Sequence, residues 1–418
     1  MNERLFQFIW QQLRFDQRNL TTTNGESVSI LFQGTLNTNQ GPDFLNARLR
    51  INETFWAGSV ELHLKETDWT KHGHTGDEHY DNVILHVVLD ADGQLEERII
   101  PTLSLHGRIS RTIIEMYSRL GTTADVLPCR NLLDVVTVED FALCNERMLL
   151  EKWNDKCLLI FEQLKKCNYH FEEVLWRMIA ANFGSPVNTT SFESIAVSIS
   201  WNVIQKIRHL PHATEALLLG QAGILSKTFS DKYPAMLQKE CNYLLNKYKL
   251  TRPDAPIYFL RMRPANFPTI RLVQLSEFVA KQKHLFASIR DADSLKDLHD
   301  LLNVYVTSYW QYHYKPDEEA AFSEKKLGEE MKRNILINTF LPFIYAHGRH
   351  TQSPELMNKA TEWLRQIQPE NNRITRSFNA AGFLSANAFD SQALIYLRKK
   401  YCDERRCLQC NLGVKMLK

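Results

Sequence analysis

Apolar residues recur three and four apart at the start of the chain, where Leu5, Phe6, Ile9, Trp10 and Leu13 form one stripe and predict an amphipathic helix over residues 3–15. After the polar turn TTTNGE, the run SVSILFQG predicts a first strand. The period then becomes two. In FLNARLRI, Ala47, Leu49 and Ile51 alternate with Asn46, Arg48 and Arg50; in FWAGSVELHLK, Val60, Leu62 and Leu64 alternate with Glu61, His63 and Lys65. DWTKHGHTGDEHY has no clear period and predicts a loop or a short irregular helix. NVILHVVLD is apolar on both faces except for His86, the pattern of an interior strand. ADGQ predicts a turn and LEERIIPTL a further strand, the two closing a hairpin.

From Val138 the pattern turns helical. Segments such as FALCNERMLLEKWNDKCLLIFEQLKK, HFEEVLWRMIAANFG and TIRLVQLSEFVAKQKHLFASI space their apolar residues at three and four. The expected fold is α+β: an N-terminal mixed β-sheet unit with an αβββαβ-like core, followed by a large all-helical region. The expected divisions are 1–130, 131–400 and a cysteine-bearing tail at 401–418. The charged stretch Lys315–Lys332 reads as a solvated helix face or a hinge.

Composition narrows the function classes. The 418 residues carry 50 Lys and Arg against 48 Asp and Glu, a formal charge of +2, so any anion-binding surface is local rather than global. The N-terminus lacks an apolar signal region and no window reaches the ~18 apolar residues of a membrane span, so a cytoplasmic protein with no membrane partner is expected. Oligomeric state is not legible. The eight cysteines are mostly scattered through helical patterns, which fits reduced thiols.

The chemistry concentrates between Gly41 and Asp90, which hold five of the fourteen histidines together with Asp43, Glu61, Lys65, Asp68 and Asp77. Carboxylates and imidazoles bind metal ions and move protons. GPDFLNARL, GSVELHLKETDW, HGH, YDNVILHVV, RMRPANFPTIRLVQL and the terminal YC-x4-C-x2-C-x2-G together resemble the bacterial family catalogued as domain of unknown function 2851. That resemblance spans nearly the whole chain and implies no activity.

The N-terminal unit is also similar, distantly, to the PD-(D/E)xK nucleases, in which Pro-Asp and a Glu-x-Lys hold Mg²⁺ or Mn²⁺ and orient a water against a phosphodiester. The resemblance implies Asp43, Glu61, His63 and Lys65 as catalytic residues, with Asp43, Glu61 and His86 around the metal and nucleic acid as partner. His63 stands where that motif has Lys. The same residues also suit a cross-strand ion-pair network on a solvated face, the mark of a non-enzymatic scaffold. A third reading is a zinc hydrolase using the loop residues His72, His74 and Asp77.

Two further sets stand apart. Arg261, Arg263 and Arg271 in RMRPANFPTIR, and Arg373 and Arg376 in NNRITRSFNAAGF, suit phosphate contact and base stacking, or else helix capping. Cys402, Cys407 and Cys410 suit zinc or an iron–sulfur cluster if a fourth ligand joins them from Cys129, His347 or His350; three reduced thiols in a tail is the alternative.

Overall fold

The computed structural model describes residues 1–37, 40–73, 77–93, 100–119, 127, 129–260 and 262–417. They form two compact units: Met1–Cys144 with Ala380–Phe383 and Leu397–Lys418, and Asn145–Asn379 with Leu384–Tyr396. The C-terminal cysteine segment thus belongs to the first unit rather than forming a tail of its own.

In the first unit, helix α1 (Glu3–Gln11) is capped by Asn2, whose side chain accepts from the Leu5 amide at 2.9 Å. It buries Leu5, Phe6, Phe8, Ile9 and Trp10. The helix stops at Gln11 and not at residue 15, because Leu13 adopts a left-handed conformation (φ 49°) that no helix continues through.

Among the described residues of this unit the strands are β1 (Leu20–Thr21), β2 (Ser27–Phe32), β3 (Thr35–Leu36), β4 (Phe44–Ile51), β5 (Thr54–Lys65), β6 (Val83–Asp90) and β7 (Thr102–Ser104). The main path runs β1-β2-β4-β5-β6-β7, with β3 beside β4. Pairing is antiparallel as far as β5, then parallel for β5–β6 and β6–β7. The predicted hairpin after β6 is therefore corrected: a tight turn closes only an antiparallel pair, and β7 runs parallel to β6. Residues 94–99, which that hairpin would have used, lie outside the described residues. The alternation expected of β5 holds. Val60 and Leu62 enter the core with Phe44, Ala47, Leu49 and Ile51, and Leu64 packs against it.

Two irregularities set which side chains face which way. The β4–β5 register shifts between Phe44 and Ala47, where Asn46 has φ 59°. A second shift lies between Ser59 and Val60, opposite β6. At that point a Cβ on Gly58 would come within 2.6 Å of the Asn82 carbonyl and 2.5 Å of the Ile84 side chain. Gly58→Ala is expected to destabilise the protein by roughly 1–3 kcal/mol through overpacking, read as a lower urea midpoint at unchanged slope. An unchanged midpoint refutes the close approach.

The second unit is helical, with Phe171–Phe183, Ala213–Gln221, Pro268–Lys281 and Leu341–His350 among its elements. Glu215 is buried there, accepting from the Tyr233 hydroxyl at 2.8 Å and the Trp310 indole at 2.5 Å. Within the charged stretch, a helix begins only at Glu329. Before it, His313–Lys315 pairs with Glu318–Glu319 across a left-handed Asp317 and Lys325 is buried; within the helix Lys332 is buried too.

Candidate functional site

The site is built where α1, the start of β4 and the middle of β5 meet. With Ala47, Leu49 and Ile51 facing the core, uninterrupted alternation would send Asp43 to the core as well. The bulge at Asn46 instead puts Phe44 in the core, opposite Val60, and leaves Asp43 on the face that carries Glu61. The two acids are then bound to each other's backbone. The Asp43 amide donates to Glu61 Oε2 at 2.9 Å, and the Leu62 amide donates to Asp43 Oδ2 at 3.1 Å.

Helix α1 contributes Gln7, whose Nε2 donates to Asp43 Oδ1 at 2.7 Å, while Glu3 adds negative charge from the first turn. Burial pushes Glu61 up to about 8, with the Asp43 charge adding to it. Burial likewise pushes Asp43 up to about 6, with opposition from the Leu62 and Gln7 hydrogen bonds.

Beside the acids, three imidazoles run from core to surface. His86 is fully buried; its Nε2 lies 2.9 Å from His63 Nδ1, and His63 Nε2 lies 3.1 Å from Nδ1 of the exposed His72. His63 Nε2 is also 3.8 Å from Glu61 Oε1. Trp69 covers this chain edge-on, with ring centroids 6.2 Å from His63 and 5.1 Å from His86, and packs with Tyr80, Val83 and Ile100. Desolvation by burial, with the charges of Glu61 and Asp43, raises the Tyr80 phenol to about 12, so it stays protonated.

The structure therefore brings Asp43, Glu61, His63 and His86 together. Lys65 shares their face two residues along, but its side chain is 57% exposed and pairs with Asp92 at 3.6 Å. In the alternative zinc loop, His72 lies against His63, whereas Asp77 caps the turn Glu78–Tyr80 and pairs with His79 at 2.8 Å. His74 lies outside the described residues.

Among the arginines of the second unit, Arg263, Arg373 and Arg376 are exposed. Arg271 is half-buried, donating to Asn266 Oδ1 at 2.7 Å and Gln274 Oε1 at 3.0 Å; desolvation lowers it to about 10. Its guanidinium holds a loop to a helix. Arg261 lies outside the described residues.

Gln7 and Glu3 were missed from the sequence, although Gln7 is a polar break between the buried Phe6 and Phe8. Also missed was the outer part of the same sheet face. Arg48 opposes Phe32 and Arg50 opposes Phe55, which is 70% exposed, on the face that leads along β5 to Glu61.

Among the described residues no group of three or more His, Cys, Asp and Glu side chains stands ready as a metal-ligand set, and no helix is long and apolar enough to cross a membrane. No curated protein and no solved structure matches the chain. A family model described as protein of unknown function (DUF2851) matches residues 3–373, and the chain belongs to that family.

Proposed function

We propose that the chain is a divalent-metal-dependent phosphodiesterase acting on nucleic acid. The observation that carries this reading is the interlocked pair Asp43–Glu61, a half-buried and a buried acid held at one corner of the sheet by the Leu62 and Asp43 backbone amides. Burying two carboxylates together is unfavourable unless protons or a cation offset their charge. Hard oxygen donors in this small number fit Mg²⁺ or Mn²⁺, which keep waters and accept substrate phosphate oxygens in their remaining positions. A cation bound there activates a water and offsets negative charge on the phosphate.

The protein groups have separate tasks. Gln7 and the Leu62 amide fix the Asp43 carboxylate, and the Asp43 amide fixes Glu61. His63 Nε2 faces Glu61 and, through His72, has a path for a proton to reach solvent. Lys65 takes no part. Arg48, Arg50, Phe32 and Phe55 on the same face support a nucleic acid ligand, since arginine meets phosphate and an exposed phenyl ring stacks on a base.

The test is incubation of the full chain with labelled single- and double-stranded DNA and RNA, with Mg²⁺ or Mn²⁺ and with chelator. Metal-dependent cleavage of at least one substrate is expected. No cleavage of any of them, with no metal-dependent change in thermal stability, refutes the reading and favours a scaffold. Phe55→Ala is expected to weaken nucleic acid binding roughly tenfold by removing one stacking surface while leaving kcat within about twofold. A fall in kcat with unchanged KM would rule out that role.

A further inference from the structure

Four cysteines from distant parts of the sequence occupy abutting elements of the first unit. Cys129 precedes the turn Arg130–Val135, Cys402 ends the helical turn Arg398–Cys402, Cys407 begins the turn Cys407–Gln409, and Cys410 precedes the helix Asn411–Met416. That last helix packs on both the Arg130–Val135 and Cys407–Gln409 turns, and the latter packs on Arg398–Cys402. Cys407 and Cys410 form a tight knuckle, the Cys410 amide donating to the Cys407 carbonyl at 3.3 Å. Gly413 lets the helix close on it, since a Cβ there would lie 2.1 Å from the Cys407 carbonyl oxygen.

His347 and His350, the other residues considered as a fourth ligand, belong to the second unit, where their rings pack on Phe171 at 5.0 and 5.4 Å. Cys129 alone of the three shares a unit with the knuckle. The four cysteines thus sit on elements that share one packed corner, through the contacts of the Asn411–Met416 helix with the Arg130–Val135 and Cys407–Gln409 turns. All eight cysteines are thiols rather than disulfides.

We propose that Cys129, Cys402, Cys407 and Cys410 bind a structural soft-metal centre, zinc or an iron–sulfur cluster, which fastens the C-terminal segment to the first unit. Each thiol gives up its proton to solvent as its sulfur becomes a ligand. Coordination draws the four side chains inward from these backbone positions. The clamp holds in place Leu417, a member of the unit's core, and Leu408 and Val414, which pack against it.

The experiment is zinc and iron analysis, with visible absorbance, of the full chain purified without oxygen from medium containing both metals. About one zinc per chain, or iron with cluster absorbance, is expected. Cys129→Ser and Cys407→Ser should lose more than half of it, while Cys167→Ser in the second unit keeps it. If Cys129→Ser folds poorly, titration of the wild-type chain with a mercurial gives a second reading, with metal released as four thiols react. A wild-type chain without zinc or iron, or full retention in Cys129→Ser, overturns the proposal. Glu61→Gln is expected to keep this metal, so failure here and failure of the phosphodiesterase reading are separately visible.

Discussion

Glu61→Gln is expected to lower metal-dependent cleavage about a thousandfold while the fold is retained. Glutamine keeps the shape of the side chain and an oxygen to accept from the Asp43 amide, but it removes one of the two negative charges proposed to hold the cation. Asp43→Asn should act similarly, because Asn retains an oxygen for the Leu62 amide. The double variant should be little worse than either single one, since in the proposed site both carboxylates serve one ion. The measurement is initial rate of cleavage at saturating Mg²⁺, with circular dichroism as the control on folding. Cleavage within about threefold of wild type in both single variants would sink the assignment.

The second large effect is on stability. In the metal-free chain Glu61 is raised from 4.5 to about 8 and Asp43 from 3.8 to about 6. Between these limits the folded state binds more protons than the unfolded state, so stability falls as pH rises. The metal-free wild type is therefore expected to be more stable at pH 5 than at pH 8, by roughly a few kcal/mol. Most acids held below their usual range, such as Glu329, which is lowered by Lys332 and His299, lose their contribution only below this window. Glu61→Gln should flatten the slope. Mg²⁺ should raise Tm of the wild type more at pH 8 than at pH 5, and should do so little in the variant. Urea unfolding at the two pH values measures the first effect and a thermal scan with Mg²⁺ the second. Identical slopes for wild type and variant would mean that Glu61 is not strained by its burial.

Much of the first unit was legible because sidedness is a local property. The α1 stripe and the β5 alternation each follow from the repeat of one regular element, so Leu5, Phe6, Ile9, Trp10, Val60 and Leu62 could be assigned to the core, and Glu61 and His63 to the opposite face. The interior character of β6 was clear from its unbroken apolar run, and His86 stood out within it. The charged stretch Lys315–Lys332 misled, because charge density carries no information on which lysines a fold will bury; Lys325 and Lys332 are inside.

By itself, then, the sequence determined the α+β class, the face bearing Glu61 and His63, and the family. Tertiary structure alone decided whether those residues make a site. The bulge at Asn46 turned Asp43 onto their face, and parallel pairing set Glu61 beside His86. The fold also brought Gln7 to Asp43 and His72 to His63, and it gathered Cys129 with three cysteines at the far end of the chain. The reason is physical. A repeat of two or 3.6 residues fixes direction only within an uninterrupted element, whereas a one-residue bulge or a contact across hundreds of residues is selected by the packing of the whole core.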